Sequence, residues 1–224
     1  MSRGSVDHVY CGPLLLLFAV AGAATAPATA ALLRRAGAPI AVPLAAGLLA
    51  LGFGVVCWRW QSGGWPGWWL PVPCLLTVLA VPLALADLRH LRLPDVLTLS
   101  AYPAFAAVIA TAAAAGGGPA LAGRALAGSA VFGGAHALIH LRAPGSLGAG
   151  DVKLSGVLGA VLAAVGWPAV LLGAVVAALL SVALAMCRRS AHGRAPGVPH
   201  GPGLLAAAWL CAVLPSAGSG VIPG

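Results

Sequence analysis

Acidic side chains are the residues of this chain best suited to chemistry, and 224 residues contain only four of them: Asp7, Asp87, Asp95 and Asp151, with no glutamate. The remainder is 61% hydrophobic and only 7% charged. A carboxylate in such surroundings is costly unless it is paired or used, so Asp87 and Asp151, which border long apolar runs, are the first candidates. Two carboxyls in a low-dielectric site separate their pKa values and can share one proton, which supplies a general acid and a general base together.

Apolar runs long enough to cross about 30 Å of hydrocarbon predict the elements that position these aspartates. We expect an all-α, polytopic transmembrane helical bundle that forms a single domain over residues 1–224, with about eight spans (six to eight). The predicted spans are Gly12 to Leu33, Ala38 to Cys57, Leu70 to Leu88, Val96 to Ala115, Pro119 to Leu141, Val152 to Val165, Ala169 to Cys187, and Gly203 to Leu214. Two spans separate Asp87 from Asp151, so both aspartates return to the same membrane face.

Basic residues predict the orientation of the bundle, because cytoplasmic loops of membrane proteins are enriched in Lys and Arg. Only Arg3 precedes the first apolar run, which favours a retained span with the N-terminus outside over a cleaved signal peptide. This orientation places nine basic residues in the cytoplasm and three on or near the outer side. The nine are Arg34, Arg35, Arg89, Arg92, Arg142, Lys153, Arg188, Arg189 and Arg194, and the three are Arg3, Arg59 and Arg124.

Other features of the composition narrow the function classes. The basic residues are scattered among apolar runs and form no stripe with interleaved aromatics, which argues against a nucleic-acid partner.

Five aromatic residues lie in one connector on the predicted outer side, where we expect interfacial anchors. They are Trp58, Trp60, Trp65, Trp68 and Trp69.

Two motifs surround the candidate aspartates: Asp87-Leu88-Arg89-His90-Leu91-Arg92-Leu93-Pro94-Asp95-Val96-Leu97-Thr98 and Gly148-Ala149-Gly150-Asp151-Val152-Lys153-Leu154. Together they resemble the type IV prepilin peptidases, which are membrane aspartyl peptidases of the GxGD kind. In that family one aspartate precedes a basic stretch and an (I/L)-P-(D/N)-x-L-T segment, and the other lies in G-x-G-D-x-K. The resemblance covers the chain from about Leu70 to Cys187, and two linked motifs are more specific than either alone.

This resemblance implies an endopeptidase that removes the N-terminal leader of type IV prepilin-like or pseudopilin precursors, in pilus assembly or protein secretion. Cleavage would follow a glycine, just before the hydrophobic helix of the precursor, at the cytoplasmic face of the bacterial inner membrane. Asp87 and Asp151 would be the catalytic pair, and no cofactor or metal would be required. The partners would be the precursor peptide and the lipid bilayer.

Neighbouring residues of the motifs have expected supporting roles. Gly148 and Gly150 lack a Cβ, so they allow a tight turn and close approach of an extended substrate strand. Pro94 and Asp95 precede the fourth predicted span, where Asp95 is expected to be an N-cap and not a catalyst. Lys153 either anchors the chain at the membrane interface or tunes the site, and the sequence leaves both open.

The chain also departs from the family pattern. Full-length prepilin peptidases carry a long cytoplasmic segment with paired C-x-x-C motifs between their first two spans, whereas here Arg34 and Arg35 lead directly into the second span. The second activity of the family, N-methylation of the newly exposed residue, is therefore not expected, and neither is the zinc of that segment.

The two aspartates also have alternative interpretations. Asp151 could simply cap a helix, and Asp87 could pair with Arg89 or Arg92. A non-enzymatic transporter or pilus-assembly factor could use the aspartates to bind protons or cations.

His136 and His140 lie one helical turn apart, but a zinc protease of the H-E-x-x-H type needs a glutamate that this chain lacks. We therefore expect the two histidines to make polar packing contacts. Ser129 lies on the same helical face as His136, yet one helix cannot easily direct both groups at one carbonyl, so a serine protease is disfavoured.

Overall fold

The computed structural model describes residues 7–145, 147–192 and 199–214, and within these ranges it is helical with no strands. The helices are α1 (Asp7–Ala24), α2 (Ala26–Arg35), α3 (Val42–Gln61), α4 (Pro71–His90), α5 (Asp95–Thr98), α6 (Ala101–Ala112), α7 (Gly118–Arg142), α8 (Ala149–Val165), α9 (Trp167–His192) and α10 (Gly201–Val213). A 3-10 turn, Gly67–Trp69, precedes α4, and a π-helical turn, Ala113–Gly117, joins α6 to α7. The predicted all-α class is confirmed.

Five segments of the described chain are long and apolar enough to cross a membrane: Gly12–Arg35, Val42–Gln61, Gly67–His90, Asp95–Arg142 and Trp167–Cys187. The fourth segment contains two of the predicted spans and is divided at Gly116, whose φ of 150° interrupts the helix. The predicted sixth and eighth spans correspond to α8 and α10, which have 17 and 13 residues. The polytopic helical bundle is therefore confirmed, and these two helices are its short inner members.

Helix α8 lies at the centre of the bundle, because its side chains are buried on all faces from Leu154 to Val165 except at Ala160. A helix that is apolar all round must be surrounded by protein or lipid. Glycines bring α7 close alongside it: Gly133 faces Gly156, and a Cβ at Gly128 would overlap Ala163. Small residues at such contacts let helix backbones approach closely in membrane proteins. Helix α10 packs against α4, α8 and α9, and its first turn lies beside the end of α4.

Tryptophans close the other end of the bundle. Trp69 is fully buried and donates its indole N–H to the carbonyl of Ala212 at 3.0 Å, while Trp65 donates to Val213 at 3.1 Å. The expectation of an interfacial belt is wrong for these two residues, because the carbonyls at the end of α10 bind their polar edges inside the bundle. Trp58, with 57% of its surface exposed, fits the expected position of an anchor.

Basic residues are distributed unequally between the two ends. Arg34 and Arg35 end α2, and Arg142 ends α7, at the end of the bundle that holds Asp87. Arg59 and Arg124 lie at the tryptophan end. Arg3 and Arg194 are outside the described residues, as are the side chains of Arg188 and Arg189.

Candidate active site

Asp87 lies in the last turn of α4, where only 6% of its surface is exposed. Helix α4 ends at His90, and Leu91 after it has a left-handed φ of 51°, which is unusual for a residue with a side chain. The N–H of Leu91 bonds to the Asp87 carbonyl at 2.9 Å. Pro94, which follows, has no N–H to continue the helix. The chain therefore reverses at Leu91 and carries Leu93 back toward the aspartate.

Asp151 is the third residue of α8 and is 8% exposed. Its Oδ2 accepts a hydrogen bond from the N–H of Gly148 at 3.3 Å, so the helix-cap alternative is correct for this oxygen. Its Oδ1 is buried and has no hydrogen-bond partner among the described residues. Buried polar atoms are nearly always satisfied, so an unsatisfied carboxyl oxygen points to a functional role.

The two aspartates, 64 positions apart in the sequence, act on each other in the structure. Asp151 lies outside the five membrane-crossing segments, and its pKa is raised to about 6, first by burial and second by the charge of Asp87. The hydrogen bond from Gly148 opposes this rise in pKa. A pair in which one carboxyl holds its proton beside another is the arrangement that two-aspartate acid and base chemistry requires.

Two glycines and one leucine pack the chain tightly around the pair. A Cβ at Gly201, the first residue of α10, would lie 2.8 Å from Asp87 Oδ2 and 3.2 Å from Leu93 Cδ1. A Cβ at Gly150 would lie 2.8 Å from the Cβ of Leu93. Leu93 therefore fills the space between the first turns of α8 and α10, and neither glycine can be replaced without moving a neighbour.

A sequence model of the type IV leader peptidase family matches residues 74–184, a range that contains both aspartates and both motifs. The chain belongs to the type IV leader peptidase family. No curated protein and no solved structure matches the chain. Membership in the family implies peptidase activity in general. Helix α10, which supplies Gly201, lies beyond the matched range.

The structure assigns different positions from those expected for three residues of the family motifs. Asp95 is the first residue of α5, and its side chain makes no capping bond, because both of its oxygens bind Lys153 Nζ at 2.8 Å. The N-cap expectation for Asp95 is therefore wrong, and Pro94 occupies that position. Gly150 lies within α8 and not in a turn, so its close contact is with Leu93.

The ion pair between Lys153 and Asp95 links the two motifs. Their side chains are 39% and 57% exposed, so the pair contributes little stability by itself, on the order of 1 kcal/mol or less. Its geometric effect is larger, because it fixes the start of α5 against α8, and the Tyr102 hydroxyl donates to the carbonyl of Lys153 at 2.7 Å. Lys153 thus holds the segment that carries Leu93.

Three histidines lie near the pair. His136 Nδ1 bonds to the carbonyl of Phe132 at 2.8 Å and His140 Nδ1 to that of Leu147 at 2.9 Å, which confirms the expected polar packing contacts. His200, next to Gly201, lies 6.3 Å from His136 between ring centroids. Among the described residues, no three His, Cys, Asp or Glu side chains are placed to share a metal ion.

His200 is fixed by Ser181 on α9. The Ser181 hydroxyl donates its one proton to the carbonyl of Ala177 at 2.8 Å, so we assign the proton of the 2.7 Å bond between Ser181 and His200 to His200 Nδ1. Burial first, and His136 second, lower the pKa of His200. The bond to Ser181 holds His200, and with it the first turn of α10, in place.

Sequence reasoning missed Gly201 and His200 as parts of the site. The run Pro199-His200-Gly201-Pro202-Gly203 predicts a turn, and nothing in its composition indicates which helix the turn meets. Leu93 was included in a motif, but its packing between two helix ends was not predictable from spacing.

Proposed function

We propose that this chain is an aspartic-type endopeptidase that removes the leader of prepilin-like or pseudopilin precursors at the cytoplasmic face of the bacterial inner membrane. The observation that carries the proposal is that Asp87 and Asp151, two buried carboxyls from distant segments, are brought together around Leu93, inside the range that matches a leader peptidase family. Leader removal needs one carboxylate to activate water and one carboxyl to polarise the scissile carbonyl.

The surroundings of the pair support a division of labour between the two carboxyls. Asp151 has the raised pKa and a buried oxygen, so it is the better holder of the shared proton and the proposed general acid. When Asp151 holds the shared proton, Asp87 is the remaining carboxylate, and its Oδ2 lies beside the first residue of α10. Asp87 is therefore the proposed general base.

The depth of the pair favours peptidase over transporter. Asp87 lies in the last turn of α4 and Asp151 in the first turn of α8, so both carboxyls belong to helix ends and not to the middle of a helix. A proton or cation carrier of this size would be expected to hold its carboxylates near the middle of the membrane. Arg34, Arg35 and Arg142 at the same end support a cytoplasmic position by the positive-inside rule.

The decisive experiment compares Asp87→Asn and Asp151→Asn with Asp95→Asn. Each purified variant, in detergent or liposomes, is incubated with a precursor that has a short basic leader, a glycine and an apolar helix, and cleavage is read by mass spectrometry. We expect either of the first two variants to lose at least about 10³-fold in rate, since each removes an acid or base. Asp95→Asn is the matched control, because it makes the same change in an exposed carboxylate and should lower the rate only several-fold, through loss of the ion pair with Lys153. Retained cleavage in either dyad variant refutes the proposal.

We further propose that the chain hydrolyses leaders without methylating the product. Residues 36–41 are all that separates α2 from α3, so the C-x-x-C segment of full-length prepilin peptidases has no counterpart here. Methylated product, formed by the purified protein from precursor and S-adenosylmethionine, would contradict this half of the proposal.

A further inference from the structure

A groove of about 540 Å³ lies on the side of the bundle between α3, α4 and α10. Its walls are almost wholly apolar and include Leu51 on α3, Ala84 on α4 and Ala206 on α10. The polar groups at its deep end satisfy each other, since Trp209 Nε1 donates to the Thr77 hydroxyl at 2.7 Å. The groove therefore offers contact to an apolar occupant and no hydrogen bonds.

One end of the groove opens beside the proposed dyad. Leu88 and Pro202, which line it, directly follow Asp87 and Gly201. From Leu88 the groove follows α4 back to Thr77, which corresponds to roughly 16 Å, or about three helical turns. An occupant that fills the groove would therefore run from the two carboxyls into the depth of the bundle.

The shape of the groove fits a helix. Gly52, Ala80, Ala84 and Ala206 on its walls are small, and small residues are what allow the backbone of a second helix to approach closely inside a membrane. Three turns would bring side chains at positions i, i+3 or i+4, and i+7 of one helical face into contact with the walls.

We propose that the α3–α4–α10 groove binds the apolar helix that follows the cleavage point of the precursor. This inference rests on the proposed function, because it assumes that the scissile bond lies at Asp87 and Asp151. A substrate cut just before its apolar helix must enter the protein with that helix directly adjoining the carboxyls, and the groove begins there. The position of the apolar helix in the groove, and not the length of the leader, then sets which bond of the precursor is cleaved.

The first test fills the groove. Ala84→Phe and Ala206→Phe are expected to raise the KM for a full-length precursor at least about tenfold, with kcat little changed. Cleavage of a soluble peptide that contains the leader, the glycine and only the first few residues after it should be unaffected, which shows that the carboxyls are intact. Ala178→Phe makes the same change on an exposed face of α9 and should leave both reactions unchanged. An unchanged KM in both groove variants overturns the proposal.

The second test does not depend on cleavage or on the folding of bulky variants. A photo-reactive residue replaces Leu51 or Leu210 in the groove, or Leu179 on the exposed face of α9, in the Asp151→Asn background. Cross-links from the two groove positions to the helix of the precursor, and none from position 179, are the expected result. Cross-links to lipid or to a second copy of the chain alone overturn the proposal. If wild-type protein cleaves no precursor, the proposed function fails, and the cross-links still report independently on the groove.

Discussion

At one end of the bundle the first turns of α8 and α10 lie beside Asp151 and Asp87, and at the other end the last carbonyls of the same helices bind donors. Arg124 donates to Ala163 and Ala164 at the end of α8, at 3.3 and 3.2 Å. Trp65 and Trp69 donate to the last residues of α10, and Arg59 donates to Leu214 just beyond. Both helices thus have a carboxyl group at their positive ends and donors at their negative ends.

The two ends differ in how completely their polar groups are satisfied. The tryptophan end uses large side chains with donors fitted to carbonyls, which stabilises the fold. The aspartate end uses glycines, one leucine and an Asp151 oxygen that has no partner among the described residues, so its polar groups are less completely satisfied. Proteins commonly lose stability at the site that performs the reaction and recover it elsewhere. Substitutions at the two ends should therefore have opposite consequences for stability and activity.

The largest expected effect on stability is that of Trp69→Ala. The change empties the largest fully buried side-chain position at the tryptophan end and leaves the Ala212 carbonyl without its donor, so we expect a loss on the order of 3–5 kcal/mol in the free energy of unfolding. Thermal unfolding in detergent measures it. Trp58→Ala, at an exposed position, is the matched control and should change stability by much less. Equal losses in the two variants would contradict the described difference between buried and interfacial tryptophans.

Gly201→Ala should reduce activity at the other end with little change in stability. The new methyl group would displace the Asp87 carboxyl or Leu93, and a displacement of this size in a catalytic group can lower the rate about 100-fold. Cleavage kinetics with a fixed precursor measure it. Gly134→Ala places a methyl group in open space within α7 and serves as the control. Full activity of Gly201→Ala would show that α10 does not position the pair.

The next prediction concerns the dependence of stability on pH. The pKa of Asp151 is about 6 in the folded protein, whereas 3.8 is the ordinary value and applies to the unfolded chain. At pH values between these two, the folded protein therefore binds more protons than the unfolded chain. The contribution of Asp151 to stability is therefore lost as the pH rises through this window. Asp151→Asn has no carboxyl to ionise, so it does not lose stability as the pH rises, and it keeps a side chain that can cap the helix. Above pH 6 the variant should be more stable than wild type by about 1–3 kcal/mol.

Thermal unfolding of wild type and Asp151→Asn between pH 4 and pH 8 measures this difference. The gap between the two proteins should widen from pH 4 to about pH 6 and stay nearly constant above it. A gap that stays constant over this range would mean that the carboxyl of Asp151 does not carry the raised pKa.

The smallest expected effect is that of Lys153→Met. Loss of the exposed ion pair with Asp95 should lower stability by less than about 1 kcal/mol, and activity should decrease only several-fold as the segment with Leu93 loosens. A double-mutant cycle with Asp95→Asn separates the pair from other effects. A loss of activity as large as that of the dyad variants would place Lys153 in the reaction itself.

Much of this architecture could be predicted from the sequence because long apolar runs have few alternatives in a membrane. The helical class and the two motifs with Asp87 and Asp151 were readable from residue type and spacing. The N-cap expected at Asp95 failed because a nearby lysine offered a stronger partner than the backbone N–H groups. The belt expected for Trp65 and Trp69 failed because composition does not distinguish a tryptophan at an interface from one that closes a helix end.

The sequence alone determined which two carboxyls could react and that an even number of spans returns them to one side, because hydropathy and span counting depend only on the order of residues along the chain. Only the tertiary structure decided that α10 brings Gly201 and His200 to Asp87, that Leu93 separates two helix ends, and that a groove adjoins the pair. Which helices become neighbours depends on how small and large side chains fit across their faces, and that fit involves residues far apart in the chain.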